Sequence, residues 1–206
     1  LPEVWEDAAR AQEAVRGHLQ QRAGREWAGV AALAPAVRDA VLLLATLEME
    51  VELSRLVAAV GMPAESLRAG IEGGAAARVI ALRKAASGVF CGFSRRGPDR
   101  EILDALPAEQ RAALHDRAAQ FLLKDQGAVP PELATRVARH WLFGTTPQRG
   151  VEEATRLAGG MANSRSPIVL LELLENAVQF GNKADQPRIL EHVGDAATDL
   201  RLATKA

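Results

Sequence analysis

The sequence predicts a mainly α-helical protein interrupted by one small β-hairpin. Of its 206 residues, 48% are hydrophobic but only 4% are aromatic, and Tyr is absent. The core must therefore be built from Leu, Val and Ala, which suits helix-on-helix packing better than an aromatic-rich sandwich. Apolar residues recur at helical spacing along most of the chain, with Pro and Gly as punctuation. The β-rich stretches are confined to Arg78 to Lys84 and Val89 to Arg95, separated by Ala-Ala-Ser-Gly.

Each element has its own signal. Pro2, Glu3, Glu6 and Asp7 mark a helix start, because acidic groups near the first turn complement the macrodipole. Pro35 opens an apolar helix with Val37, Val41, Leu44 and Leu47 along one side, widened by Leu42 and Leu43. Glu48 to Glu50 read as a break. A second helix carries Leu53, Leu56, Val57 and Val60 and ends at Gly61; a third starts at Pro63 with Leu67 and Ile71. Three helices followed by a two-stranded ribbon is the winged-helix order, and Leu44, Leu56, Leu67 and Phe93 are its expected core.

After Gly97-Pro98 the pattern is helical throughout. One helix is marked by Leu106, Leu114, Ala118, Phe121 and Leu122, with Pro107 at its start or corner. Pro130-Pro131 opens the next, with Leu133, Val137 and Trp141 at i, i+4 and i+8. Further helices are expected over 147–157, 167–180 and 187–202. Helix pairs recur at roughly 35–40 residues, the range of helical repeat proteins. The expected organisation is a helical linker or lid over 1–32, a winged-helix domain over 33–97, and a tetratricopeptide-like array over 98–206. Leu1 in place of Met, and a helix that runs to the end, lead us to expect a piece of a longer chain. The stripe Ile189, Val193, Ala196, Ala197 and Leu200 would then lie partly uncovered, and this end would either self-associate or be the least protected in amide hydrogen exchange.

Composition narrows the function. The net charge of −1 provides no global field for nucleic acid or anionic membrane. Cys91 is the single cysteine, which excludes an intrachain disulfide and a Cys-based zinc site. No signal peptide is visible, and no apolar run approaches the ~20 residues of a membrane span, so the cytoplasm is expected. The four histidines, His18, His115, His140 and His192, fall on different predicted helices without metal-ligand spacing, so no metal is expected. Glu48, Glu50 and Glu52 alternate as a cation loop might require, but read better as a solvated acidic turn. No nucleophile elbow accompanies Ser, and no base is expected beside Cys91. Trp141 reads as core. No catalytic residue and no cofactor is expected.

Three stretches carry a family resemblance. The run from Leu33 to Ala45 resembles a first winged-helix helix. Phe93-Ser-Arg-Arg, together with Asp104 to His115, resembles a second wing strand and the helix after it. Arg188 to Ala197, with Leu190, Val193, Gly194 and Ala197 at packing positions, resembles the first helix of a tetratricopeptide unit. In this order they resemble the region that follows the nucleotide-binding domain in bacterial signal-transduction ATPases of the STAND/AAA type, found in large regulators and in some multidomain Ser/Thr kinases. The resemblance implies a regulatory, protein-binding module rather than an enzyme. It departs at Arg95-Arg96, where family members often carry His-Asp, so a nucleotide-sensing His is not carried over. No Gly-x-x-x-x-Gly-Lys-Ser/Thr loop is present, so a nucleotide-binding domain would lie upstream.

The candidate contact site is the basic wing: Arg78, Arg83, Lys84, Arg95 and Arg96, with no acidic residue between Arg78 and Arg96. Such a cluster suits phosphates or an acidic protein surface. The third helix favours protein, since Pro63 to Gly74 offers Arg68 alone for base edges, beside Glu65 and Glu72. The expected partners are proteins, among them an upstream nucleotide-binding domain of the same chain. The alternative is a winged-helix DNA-binding regulator with a helical sensor or dimerisation domain.

Overall fold

The computed structural model describes residues 28–73, 76, 79–94, 98–124, 129–160 and 167–203. The expected linker over 1–32 therefore falls largely outside the described residues; its end is helical over 28–31, with Val30 buried. The chain divides into two units, Leu1–Pro107 and Ala108–Ala206.

The first unit is organised around α1 (Pro35–Leu47). Pro35 sits in its first turn, where a missing N–H costs nothing. The helix stops at Glu48, whose φ of 51° is left-handed and whose N–H reaches Leu44 O at 3.2 Å. From Ala40 to Leu47 every residue is buried, so this is a central helix and not one with a single covered face. The buried Thr46 hydroxyl is satisfied by donating to Leu42 O. Around α1 pack α2 (Leu53–Val60), α3 (Ala64–Glu72), the strand β3 and α4 (Pro98–Asp104). Leu56 and Leu67 are fully buried beside Leu44, as expected. Phe93 is only half-buried, and Cys91, completely enclosed, occupies the sheet's core position instead.

The sheet has a third strand that the sequence did not announce. β1 (Val51–Glu52), β2 (Ile80–Ala85) and β3 (Gly88–Phe93) are antiparallel in the order β1-β3-β2. Val51 pairs with Cys91, and Arg83 with Phe90. Two residues have no periodicity of their own, and β1 exists only because β3 offers an unpaired edge to it. The short helix α4 was not foreseen as a separate element either. It packs on α1 and buries Ile102, which takes residues 98–107 into the first unit and out of the array expected to begin at 98.

The second unit comprises α5 (Ala108–Leu123), α6 (Pro131–Leu142), α7 (Pro147–Gly160), α8 (Pro167–Phe180) and α9 (Gln186–Ala203). Each helix packs on the next, and α6 also meets α8 as α7 meets α9. The stripe expected to lie partly uncovered on α9 is covered at two of its five positions. Ile189 is 0% exposed and Ala196 5%, and both join Leu174 and Ala177 of α8 in one core. Val193, Ala197 and Leu200 are half-buried. Leu190, which the resemblance placed at a packing position, instead points outward. Among the described residues no helix is long and apolar enough to cross a membrane.

Two substitutions check this packing. Leu44→Ala, at a site 1% exposed, should cost about 2–5 kcal/mol by urea denaturation. A loss of less than about 0.5 kcal/mol, the range of surface changes, would mean that α1 is misplaced. At Gly150 a Cβ would lie 2.3 Å from Leu142 N. Gly150→Ala should therefore force α6 and α7 apart and destabilise the second unit by about 1–3 kcal/mol, despite the better helix propensity of Ala.

Candidate functional site

Of the basic wing, Arg83 and Lys84 are described; Arg78, Arg95 and Arg96 lie outside the described residues. Both described side chains are exposed near the tip of the β2–β3 hairpin. Lys84 follows Arg83 and so faces the other side of the ribbon. Arg83 lies across the sheet, its guanidinium 5.1 Å from the centroid of the Phe90 ring. Its Nε and Nη2 both donate to the Glu50 carboxylate, with Nε to Oε2 at 3.0 Å. This pair holds the Glu50 carboxyl below its usual range and raises the Arg83 guanidinium further. Gly92 makes the contact possible, because a Cβ there would press on the Glu50 side chain at 3.0 Å. The acidic turn is thus partnered rather than merely solvated: Glu50 holds Arg83, and Glu52 accepts from the Ser54 hydroxyl at 2.7 Å.

The third helix shows the same internal compensation. Arg68 donates through Nε to Glu72 at 3.0 Å, one turn along α3. Its other outward residues include Ala64, Glu65, Ser66 and Ala69. Behind the sheet, the Cys91 thiol donates to Val51 O at 3.3 Å, and burial, reinforced by the charge on Glu50, pushes its pKa up to about 12. A thiol held so far from its thiolate is a packing group.

In the second unit the described surface carries a groove of about 300 Å³. Its lining includes Leu123 of α5, Val129 just before α6, Ala134 and Val137 of α6, and Leu157 of α7. At its rim Arg156 donates through Nε to Glu153 at 2.9 Å. The groove is apolar in character and its two charges satisfy one another.

No protein-family model, curated protein or solved structure matches the chain. Function must be read from these surfaces and from the interior.

The interior holds polar groups that the sequence did not bring together. His115 of α5 and His140 of α6 meet, Nδ1 to Nδ1, at 3.0 Å. Phe143 stacks on His115 at 5.6 Å between centroids, and Phe180 of α8 meets Phe143 edge-on. Burial, helped by the charge of Arg139, pushes His115 down to about 4. Burial and then the neighbouring His115 push His140 down to about 3. Among the described residues no group of three or more potential ligands surrounds a metal position. His192, on α9, is half-buried with its Nε2 unpartnered. Trp141 is 5% exposed, with the Arg149 guanidinium 3.8 Å over its ring, so it is a core residue.

Beside the histidines, Asp116 organises the α6–α7 turn. Its carboxylate accepts the Thr145 N–H at 3.1 Å and also the Thr145 hydroxyl. A side chain at Gly144 would collide with that carboxylate. The sequence signals were weak but present: Gly144-Thr145-Thr146-Pro147 is turn chemistry, and His140 follows Val137 by three on a buried face. Asp116→Ala should cost about 0.5–2 kcal/mol, as loss of a capping carboxylate does. Asp116→Asn should retain most of the stability, since its amide oxygen still accepts; thermal melts of both variants measure the difference.

Proposed function

We propose that the chain is a non-catalytic regulatory and protein-interaction module, a winged-helix domain followed by a tetratricopeptide-like helical array. Its parent would be a bacterial signal-transduction ATPase or kinase working in the cytoplasm. The order helix–strand–helix–helix–strand–strand, with β3 between β1 and β2, supports the winged-helix reading. Next-but-one packing of α6 on α8 and α7 on α9 supports the array.

The observation that carries protein over DNA is charge compensation. In a DNA-binding winged helix, the third helix and the wing present uncommitted cations to bases and phosphates. Here Arg68 is held by Glu72 and Arg83 by Glu50. The apolar groove between α5, α6 and α7 is the kind of surface that takes a partner's apolar side chains. Lys84, on the ribbon's other side from Arg83, would then be the described wing cation that meets an acidic protein surface, such as an adjoining nucleotide-binding domain.

Fluorescence anisotropy with a mixed-sequence duplex at physiological salt tests this. The native chain should bind no more tightly than the roughly micromolar level of non-specific contacts. The double substitution Glu50→Gln and Glu72→Gln frees Arg83 and Arg68 and should tighten that binding measurably. Sequence-dependent binding by the native chain well below micromolar would overturn the proposal in favour of a DNA-binding regulator.

A further inference from the structure

His115 and His140 face one another through the same ring nitrogen. A 3.0 Å contact of this kind requires one Nδ1 to carry a hydrogen and the other a lone pair. With both rings protonated, two N–H groups would stand head to head. Even one added proton places a charge in a poor setting, because His140 is only 6% exposed. Arg111 on α5, and Arg136 and Arg139 on α6, all oppose that charge. Asp116 favours it, but its carboxylate is turned to Thr145. From α8 the ring cluster receives Phe180, which is uncharged.

We propose that the His115–His140 pair is an acid-sensitive clasp, which holds α5 on α6 while both imidazoles are neutral and releases it as they take up protons. The two folded-state values of about 4 and about 3 lie below the ordinary 6.5. An opened state therefore binds protons first. The clasp's contribution is complete above about pH 6.5 and is lost as the pH falls from there toward 4. Each ring contributes up to about tenfold in the opening equilibrium per pH unit in that window. Leu123, on the last turn of α5, forms one wall of the apolar groove, so release of α5 also dismantles the groove. That change of shape holds whatever the groove binds.

Amide hydrogen exchange of the native chain, corrected for intrinsic rates, tests the clasp at about pH 7.5 and about pH 5. Opening of α5 and α6 should rise between roughly tenfold and about a thousandfold. The α1 amides are an internal control, since residues 28–107 contain no His and should be unaffected. The double variant His115→Phe and His140→Leu should lose the pH dependence. Should that variant not fold, imidazole ¹⁵N shifts of the native chain decide: at about pH 5.5 both rings of the folded form should be neutral, one with its proton on Nδ1. Equal protection of α5 at both pH values would overturn the proposal. So would rings that protonate near 6.5 without opening, or a folded double variant that opens like the native chain.

Discussion

The second unit depends on how closely α7 can approach α6. A core with few aromatic rings leaves little side-chain volume to fill the space between helices, so the backbones must come together. Gly150 lies against the backbone of Leu142, where even a methyl group would collide. Ala134, Ala138 and Ala154 extend the same close seam, and Ala177 continues it on α8. Because α6 and α7 are so close, the turn between them is short and has to be satisfied locally. Asp116 does this from α5 by accepting the Thr145 N–H and hydroxyl. Farther along, Gln148 of α7 donates to Asp185 at the start of α9, and the Asn182 side chain caps the same turn through the Ala184 and Asp185 N–H groups.

The first unit solves a different problem. A single helix, α1, is buried on all sides, and everything else is arranged to cover it. The three-stranded sheet is small and exposes much of its outer surface, yet Glu50, Arg83 and Phe90 tie β1 to β2 across β3. In both units the described surface charges tend to answer one another at short range: Arg68 with Glu72, Arg83 with Glu50, Arg156 with Glu153. Surface pairs of this kind add little to stability. Under the proposed protein-binding role, they leave shape and apolar area to distinguish one partner from another. The histidine pair adds a different kind of control, placed where α5 meets α6 and at some distance along α5 from the groove wall at Leu123.

Much of the fold was legible because helical periodicity and punctuation are local properties. Pro35, Pro131, Pro147 and Pro167 each stand at the start of a helix, and Gly61 stands at the left-handed end of α2, as their backbone preferences require. The hairpin from Ile80 to Phe93 was legible through its β-branched and aromatic residues around a Gly-containing turn. Leu106 was misassigned to α5 because its apolar spacing fits that helix, while Pro107 separates it and leaves it in the first unit. The outward position of Leu190 was equally hidden, since an apolar stripe two residues wide on α9 does not say which edge meets α8.

The sequence by itself determined the class of the protein: helices built from Leu and Ala, one ribbon, a single cysteine and no phosphate loop. These follow from residue type and short-range spacing, which need no knowledge of distant neighbours. Only the tertiary structure decided that Val51 pairs with Cys91, that Glu50 answers Arg83, and that His115 finds His140. Those partners lie 40, 33 and 25 residues apart in the chain. No local preference ranks one such pairing above its competitors. They are selected together, when burying the apolar faces of whole elements brings their polar groups within hydrogen-bonding reach.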